Sequence, residues 1–176
     1  MFIDINTIGP EGLAFDRSIH LRNLEGPSRE RIGEVEARFI GSVVPAGAGA
    51  ELKGSVTATV PLQCSRCLES FLWTVNTHVE LAVSRTELEA GGATDEDAAS
   101  ILVAPEGKLG LEDVATEQLY LNLPLKPVCV AACQGLCPSC GTNRNLTQCS
   151  CQTDVLDPRL APLLRFRKKI TGSERS

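Results

Sequence analysis

The chain has 176 residues, 43% of them hydrophobic and 22% charged, with a net charge of −5. These values exclude wholesale disorder and suit one ordinary domain, or a domain with a small appendage that cannot fold unaided. The longest apolar stretches fall far short of the roughly 20 residues that span a bilayer, so no membrane partner is expected.

The first residues, MFIDINTIGPEG, carry no positive segment followed by an apolar one, and a cytoplasmic location is the expectation. Apolar runs at Phe2 to Ile5 and Leu13 to Ile19 can supply one or two strands. Val35, Ala37, Phe39 and Val43 alternate with more polar neighbours. Val56, Ala58, Val60, Leu62 and Cys64 do so again, as do Phe71, Trp73, Val75, Val79, Leu81 and Val83. Period-two patterning of this kind predicts half-buried antiparallel strands. Pro45 to Ala50 reads as a hairpin loop and Cys64-Ser65-Arg66-Cys67 as the next link, so a meander follows. Residues 87–100 are acidic and poor in apolar side chains, as an exposed loop would be. Leu111, Val114, Ala115 and Leu119 keep helical spacing and predict a helix near 110–121, ended by Pro124 and Pro127.

The expected architecture is therefore α+β: an antiparallel β-rich unit with one packing helix over residues 1–125, then a Cys-rich zinc-knuckle segment with a basic tail over 126–176. Charge divides at the same place. Residues 1–125 hold 9 Lys+Arg against 19 Asp+Glu, whereas residues 126–176 hold 8 against 3. The excess of positive charge sits mainly in Arg165, Arg167, Lys168 and Lys169, which suit phosphate contacts or simply a solvated end.

Six of the eight cysteines lie between Cys129 and Cys151. Cys137-Pro138-Ser139-Cys140-Gly141 has knuckle spacing, and Cys149 and Cys151 supply a second pair. In a reducing compartment such thiols read as metal ligands, while an even count also suits disulfides in an exported chain. Four thiolates close the coordination sphere of zinc, so the expected cofactor is one structural zinc held by Cys137, Cys140, Cys149 and Cys151. It would hold a segment whose apolar residues, chiefly Leu136, Leu146 and Val155, are too few for a core. Spacing alone leaves two alternatives open. Cys129 and Cys133 can replace two of those ligands, or they can join Cys64 and Cys67 in a second four-thiolate set; Cys64 and Cys67 also read as buried small hydrophobes.

Enzyme chemistry finds little support. No phosphate-binding glycine loop, G-x-S-x-G or H-E-x-x-H occurs, and His20 and His78 have no partnering motif. No small-molecule substrate is expected. A Cys-x-x-Cys thiol oxidoreductase is the weaker reading, since no βαβ pattern surrounds the pairs. Seven aromatics are too sparse for a base-stacking sheet, so any RNA contact would run through phosphates and shape.

The ordered set Gln63-Cys64-Ser65-Arg66-Cys67-Leu68-Glu69, Leu123-Pro124-Leu125-Lys126-Pro127, Cys133-Gln134-Gly135-Leu136-Cys137-Pro138-Ser139-Cys140-Gly141, Cys149-Ser150-Cys151 and Asp157-Pro158-Arg159 resembles the bacterial YceD family. The sequence departs from that family's G-x-N-L-N run at Arg144. The resemblance implies a non-enzymatic factor needed for accumulation of 23S ribosomal RNA. Its partners would be that RNA, the pre-ribosomal large subunit or a large-subunit ribosomal protein. Arg66, set between two cysteines, is the expected partner contact, with a fixed base and a free head; the plainer alternative is a surface pair with Glu69. A protein-binding adaptor without RNA contact is the rival reading.

Overall fold

The structure, a computed structural model, describes residues 1–27, 30–85 and 101–151. The chain divides into two compact units, residues 1–65 with 69–129, and residues 66–68 with the chain from Val130 onward. The expected acidic loop at 87–100 and the basic residues Arg165, Arg167, Lys168 and Lys169 lie outside the described residues.

The larger unit is built on a five-stranded sheet of β2 (Leu13–Leu21), β3 (Val35–Ala46), β4 (Gly49–Gln63), β5 (Ser70–Ser84) and β6 (Ile101–Val103), in that spatial order. The first four pair antiparallel, as the alternation predicts. The β3–β4 hairpin is tighter than the expected Pro45–Ala50 loop. Pro45 pairs with Ala50 and Ala46 with Gly49, which leaves only Gly47 and Ala48 in the turn.

One expectation is corrected: the sheet is mixed. β6 runs parallel to β5, with Ala82, Val83 and Ser84 opposite Ile101, Leu102 and Val103. Parallel neighbours need a long crossover instead of a hairpin, and the stretch between Ser84 and Ile101 is long enough to supply one. Three consecutive apolar residues carry no period for a sequence reading to find.

Two short strands, β1 (Phe2–Asp4) and β7 (Lys108–Gly110), form a separate antiparallel pair. β7 leads directly into α1 (Leu111–Asn122). Gly110 offers no capping side chain, so part of the cap comes from elsewhere: the carbonyl of Met1 accepts the Leu111 N–H at 3.1 Å, and Glu112 and Asp113 place negative charge in the first turn. α1 buries Leu111, Val114, Ala115 and Leu119 in the sheet's core. Pro124 then prevents continuation, and the Leu123 N–H bonds back to the Tyr120 carbonyl.

The inward faces of the strands supply the rest of the core, including Leu21, Val35, Phe39, Val43, Leu52, Val56, Val60, Leu62, Val75 and Val79. Phe39 is fully buried and meets Phe15 edge-on at 5.2 Å between ring centroids. Position 54 continues the inward series of β4 yet holds glycine. A Cβ there would come 3.1 Å from the Phe39 ring and closer still to the Ile40 carbonyl, so the aromatic ring occupies the space that a side chain would need. No described helix is long and apolar enough to cross a membrane.

Candidate metal centres

Residues 135–144 fold as a tight knuckle. Leu136 and Asn143 form an antiparallel bridge, Arg144 donates its N–H to the Gly135 carbonyl at 2.9 Å, and Cys137 donates to Thr142 O at 2.8 Å. The Gly141 N–H closes the turn onto the Cys137 carbonyl at 2.8 Å. Beyond it, the N–H groups of Leu146 and Thr147 both reach the Asn143 carbonyl at 3.1 Å, and the chain returns to Cys149 and Cys151. The sulfurs of Cys137, Cys140, Cys149 and Cys151 consequently all lie within 4.8 Å of one another.

A second group forms as well. Cys64, Cys67, Cys129 and Cys133 also place their sulfurs within 4.8 Å of one another. Cys64, Cys67 and Cys133 are buried and Cys129 half-buried. Local hydrogen bonds hold the loops that present them: Cys64 N–H to Glu69 O at 2.9 Å, Ser65 N–H to Pro127 O at 2.8 Å, and Cys133 N–H to Val130 O at 3.0 Å. Cys64 and Cys67 are thus buried, but within a group of four thiols instead of an apolar pair.

Both groups fit a tetrahedral thiolate metal. A metal with sulfur ligands at about 2.3 Å needs sulfurs about 3.8 Å apart, within reach of the observed spacing after small side-chain rotations. Among the described residues of the smaller unit, packing offers little in its place. The buried side chains described there are Cys67, Cys133 and Cys137, while Leu146 is 77% exposed and Leu136 only half-buried. Val155 lies outside the described residues. Arg144 is exposed, so charge at that place displaces no apolar anchor.

The knuckle thiols are electrostatically unequal. Hydrogen bonding with the Thr142 hydroxyl, 3.2 Å from the sulfur, and with the Thr142 N–H holds Cys140 down to about 6, with Cys137 and Cys151 adding to this. The N–H groups of Cys140 and Ser139 lower Cys137. Cys149 is raised chiefly by its bond to Cys137, and Cys151 is pushed up to about 12 by its bond to Cys140. At neutral pH Cys140 is therefore ionised, whereas Cys149 and Cys151 keep protons that a metal must displace. Metal affinity of the knuckle should fall on acidification, by roughly 100-fold from pH 8 to pH 7 if those two protons are displaced. A steeper fall should follow below about pH 6, where Cys140 also protonates. Chelator competition at three pH values checks this, and an affinity independent of pH would contradict thiol ligation.

Arg66 is exposed, but its head is not free as the sequence suggests. Nη1 donates to Cys133 O at 3.1 Å and lies 3.4 Å from Ala131 O. Its own carbonyl accepts the Leu136 N–H at 3.0 Å. Gly135 permits this approach: its φ is +69°, and a Cβ there would lie 3.0 Å from the Arg66 carbonyl oxygen. Arg66 thus braces the loop that carries Cys133.

A sequence profile described as "Large ribosomal RNA subunit accumulation protein YceD" matches residues 52–167, a span that contains all eight cysteines. The chain belongs to the YceD family. Among curated proteins it is similar to an uncharacterized protein of Mycobacterium leprae, 33% identical over 94 residues, covering 51% of this chain and 41% of that protein. An uncharacterized protein of Mycobacterium tuberculosis is 30% identical over 120 residues, covering 67% and 56%. The chloroplastic large ribosomal RNA subunit accumulation protein YCED homolog 1 of Arabidopsis thaliana is 24% identical over 147 residues, covering 70% and 46%. The chain spans about half the length of the curated relatives it matches. No solved structure matches it significantly.

The sequence reading missed the residues around the cysteines. Thr142, Asn143 and Asn145 stand just after the Cys-x-x-Cys-Gly turn, where short polar side chains reach sulfur and backbone together. A cluster of such residues directly following a knuckle is the signal that could have found them.

Proposed function

We propose that this chain is a non-enzymatic factor of large-subunit ribosome biogenesis, stabilised by two structural zinc ions, that supports the synthesis, processing or stability of 23S rRNA. The observation that carries the reading is the family match across residues 52–167, which takes in all the cysteines of both groups. Closed four-thiolate centres leave no position for substrate, which favours a structural role for the metal. The described part of the smaller unit contains Arg66 and Arg144 and no Asp or Glu, a composition that suits contact with phosphate. Arg165, Arg167, Lys168 and Lys169 would add to that contact.

The acidic balance of residues 1–125 favours a second reading, an adaptor that grips a basic ribosomal protein. Affinity capture of the tagged chain with and without nuclease separates the two. Recovery of large-subunit rRNA that depends on the Arg and Lys residues supports RNA contact, and a ribosomal protein retained after nuclease supports the adaptor. Replacing Arg165, Arg167, Lys168 and Lys169 together by alanine should weaken RNA recovery and flatten its salt dependence. Unchanged binding would remove the tail from the interface.

A further inference from the structure

The side chain of Asn145 lies within the knuckle's own sequence span, between Cys140 and Cys149, yet it bonds to a ligand of the other cysteine group. Its Oδ1 accepts the Gln134 N–H at 2.7 Å, which fixes the orientation of the amide. Nδ2 must then face the opposite way, where it lies 3.3 Å from Cys133 Sγ and 2.8 Å from Asn143 Oδ1. Both amide hydrogens are accounted for, one on sulfur and one on oxygen. Asn143 Oδ1 also accepts the Asn145 backbone N–H at 3.0 Å, so this placement depends on the turn that follows the knuckle bridge.

We infer that Asn145 is a positioning residue for the metal centre of Cys64, Cys67, Cys129 and Cys133, and that through it metal loading of the knuckle strengthens binding at that centre. A coordinated thiolate retains lone-pair density, and an N–H aimed at it offsets the charge of four sulfurs around a divalent ion; partners of this kind are worth roughly 10–100-fold in affinity. The knuckle supplies the rigidity. Asn143 and Asn145 keep their places only while the segment between Cys140 and Cys149 is folded, and the four knuckle thiols are what hold that segment. Linkage then requires reciprocity: loading the Cys64 group strengthens the knuckle by the same factor.

The inference rests on metal occupancy as proposed above, so the test separates the two. The full 176-residue chain is loaded with 113Cd and followed by NMR. Two cadmium signals are expected, one of which Cys64→Ser removes, and a wild-type sample with no cadmium signal would overturn the metal reading itself. Given two signals, a through-hydrogen-bond correlation should link the Asn145 side-chain N–H to the signal that Cys64→Ser removes. Asn145→Asp keeps an oxygen for the Gln134 N–H but replaces the donor to sulfur. It should shift that same signal and weaken that centre 10–100-fold in chelator competition. Absence of the correlation, together with an Asn145→Asp variant that leaves the signal and affinity unchanged, would overturn the inference even if both metals are present. The correlation is read on the wild type, so an unfolded variant does not remove the test.

Discussion

Replacing Cys137 and Cys140 together by serine should abolish metal binding at the knuckle and unfold the described residues 135–151, while the five-stranded sheet persists. The size of the effect follows from what is buried. The described residues of the smaller unit bury cysteine side chains and leave Leu146 in solvent, so almost no apolar area among them remains to hold the segment once metal binding is lost. Structural zinc in comparable peptides contributes on the order of 10 kcal/mol or more to folding, which exceeds anything that the knuckle's few backbone hydrogen bonds could replace. Hydrogen exchange on the double variant and on chelated wild type should show the same loss of protection at positions 137, 141 and 144, whose backbone N–H groups close the knuckle. Protection that survives both treatments would mean that packing, not metal, holds the segment.

Phe39→Ala should lower the stability of the larger unit by about 3–5 kcal/mol, the usual cost of emptying a core aromatic site. The ring is fully buried, meets Phe15 edge-on, and covers the glycine at position 54. The cavity would therefore open over a place where β4 has no side chain to collapse into it. Denaturant unfolding measures the loss. Leu72→Ala is the control, because Leu72 is 71% exposed and its removal should change stability by no more than about 0.5 kcal/mol. A loss of under about 1 kcal/mol for Phe39→Ala would mean that the core does not close around this ring.

The legible parts of the fold are those with a long period. β3, β4 and β5 each bury one face, so alternation marks them without ambiguity, and α1 shows its stripe at Leu111, Val114, Ala115 and Leu119. β6 and β7 are three residues each, too short for any period to register, and the parallel pairing of β6 turned an expected antiparallel unit into a mixed sheet. The knuckle set was legible because its four cysteines lie within one short stretch of chain. The Cys64 group was visible only as one alternative among several, since more than 60 residues separate Cys67 from Cys129 and spacing carries no information over such a distance. The free head expected of Arg66 is corrected for a related reason. Its side chain is exposed, as a position between two cysteines suggests, but the carbonyls that hold its head come from Ala131 and Cys133, far along the chain.

The measurement that tests the central claim most directly is metal content together with free-thiol count, on the 176-residue chain purified without chelator and titrated in denaturant. Two equivalents of zinc with all eight thiols reduced is the predicted result, one for each group of four sulfurs. Protein free of metal, with its cysteines paired as disulfides, would contradict the account and bring thiol redox chemistry back to the front.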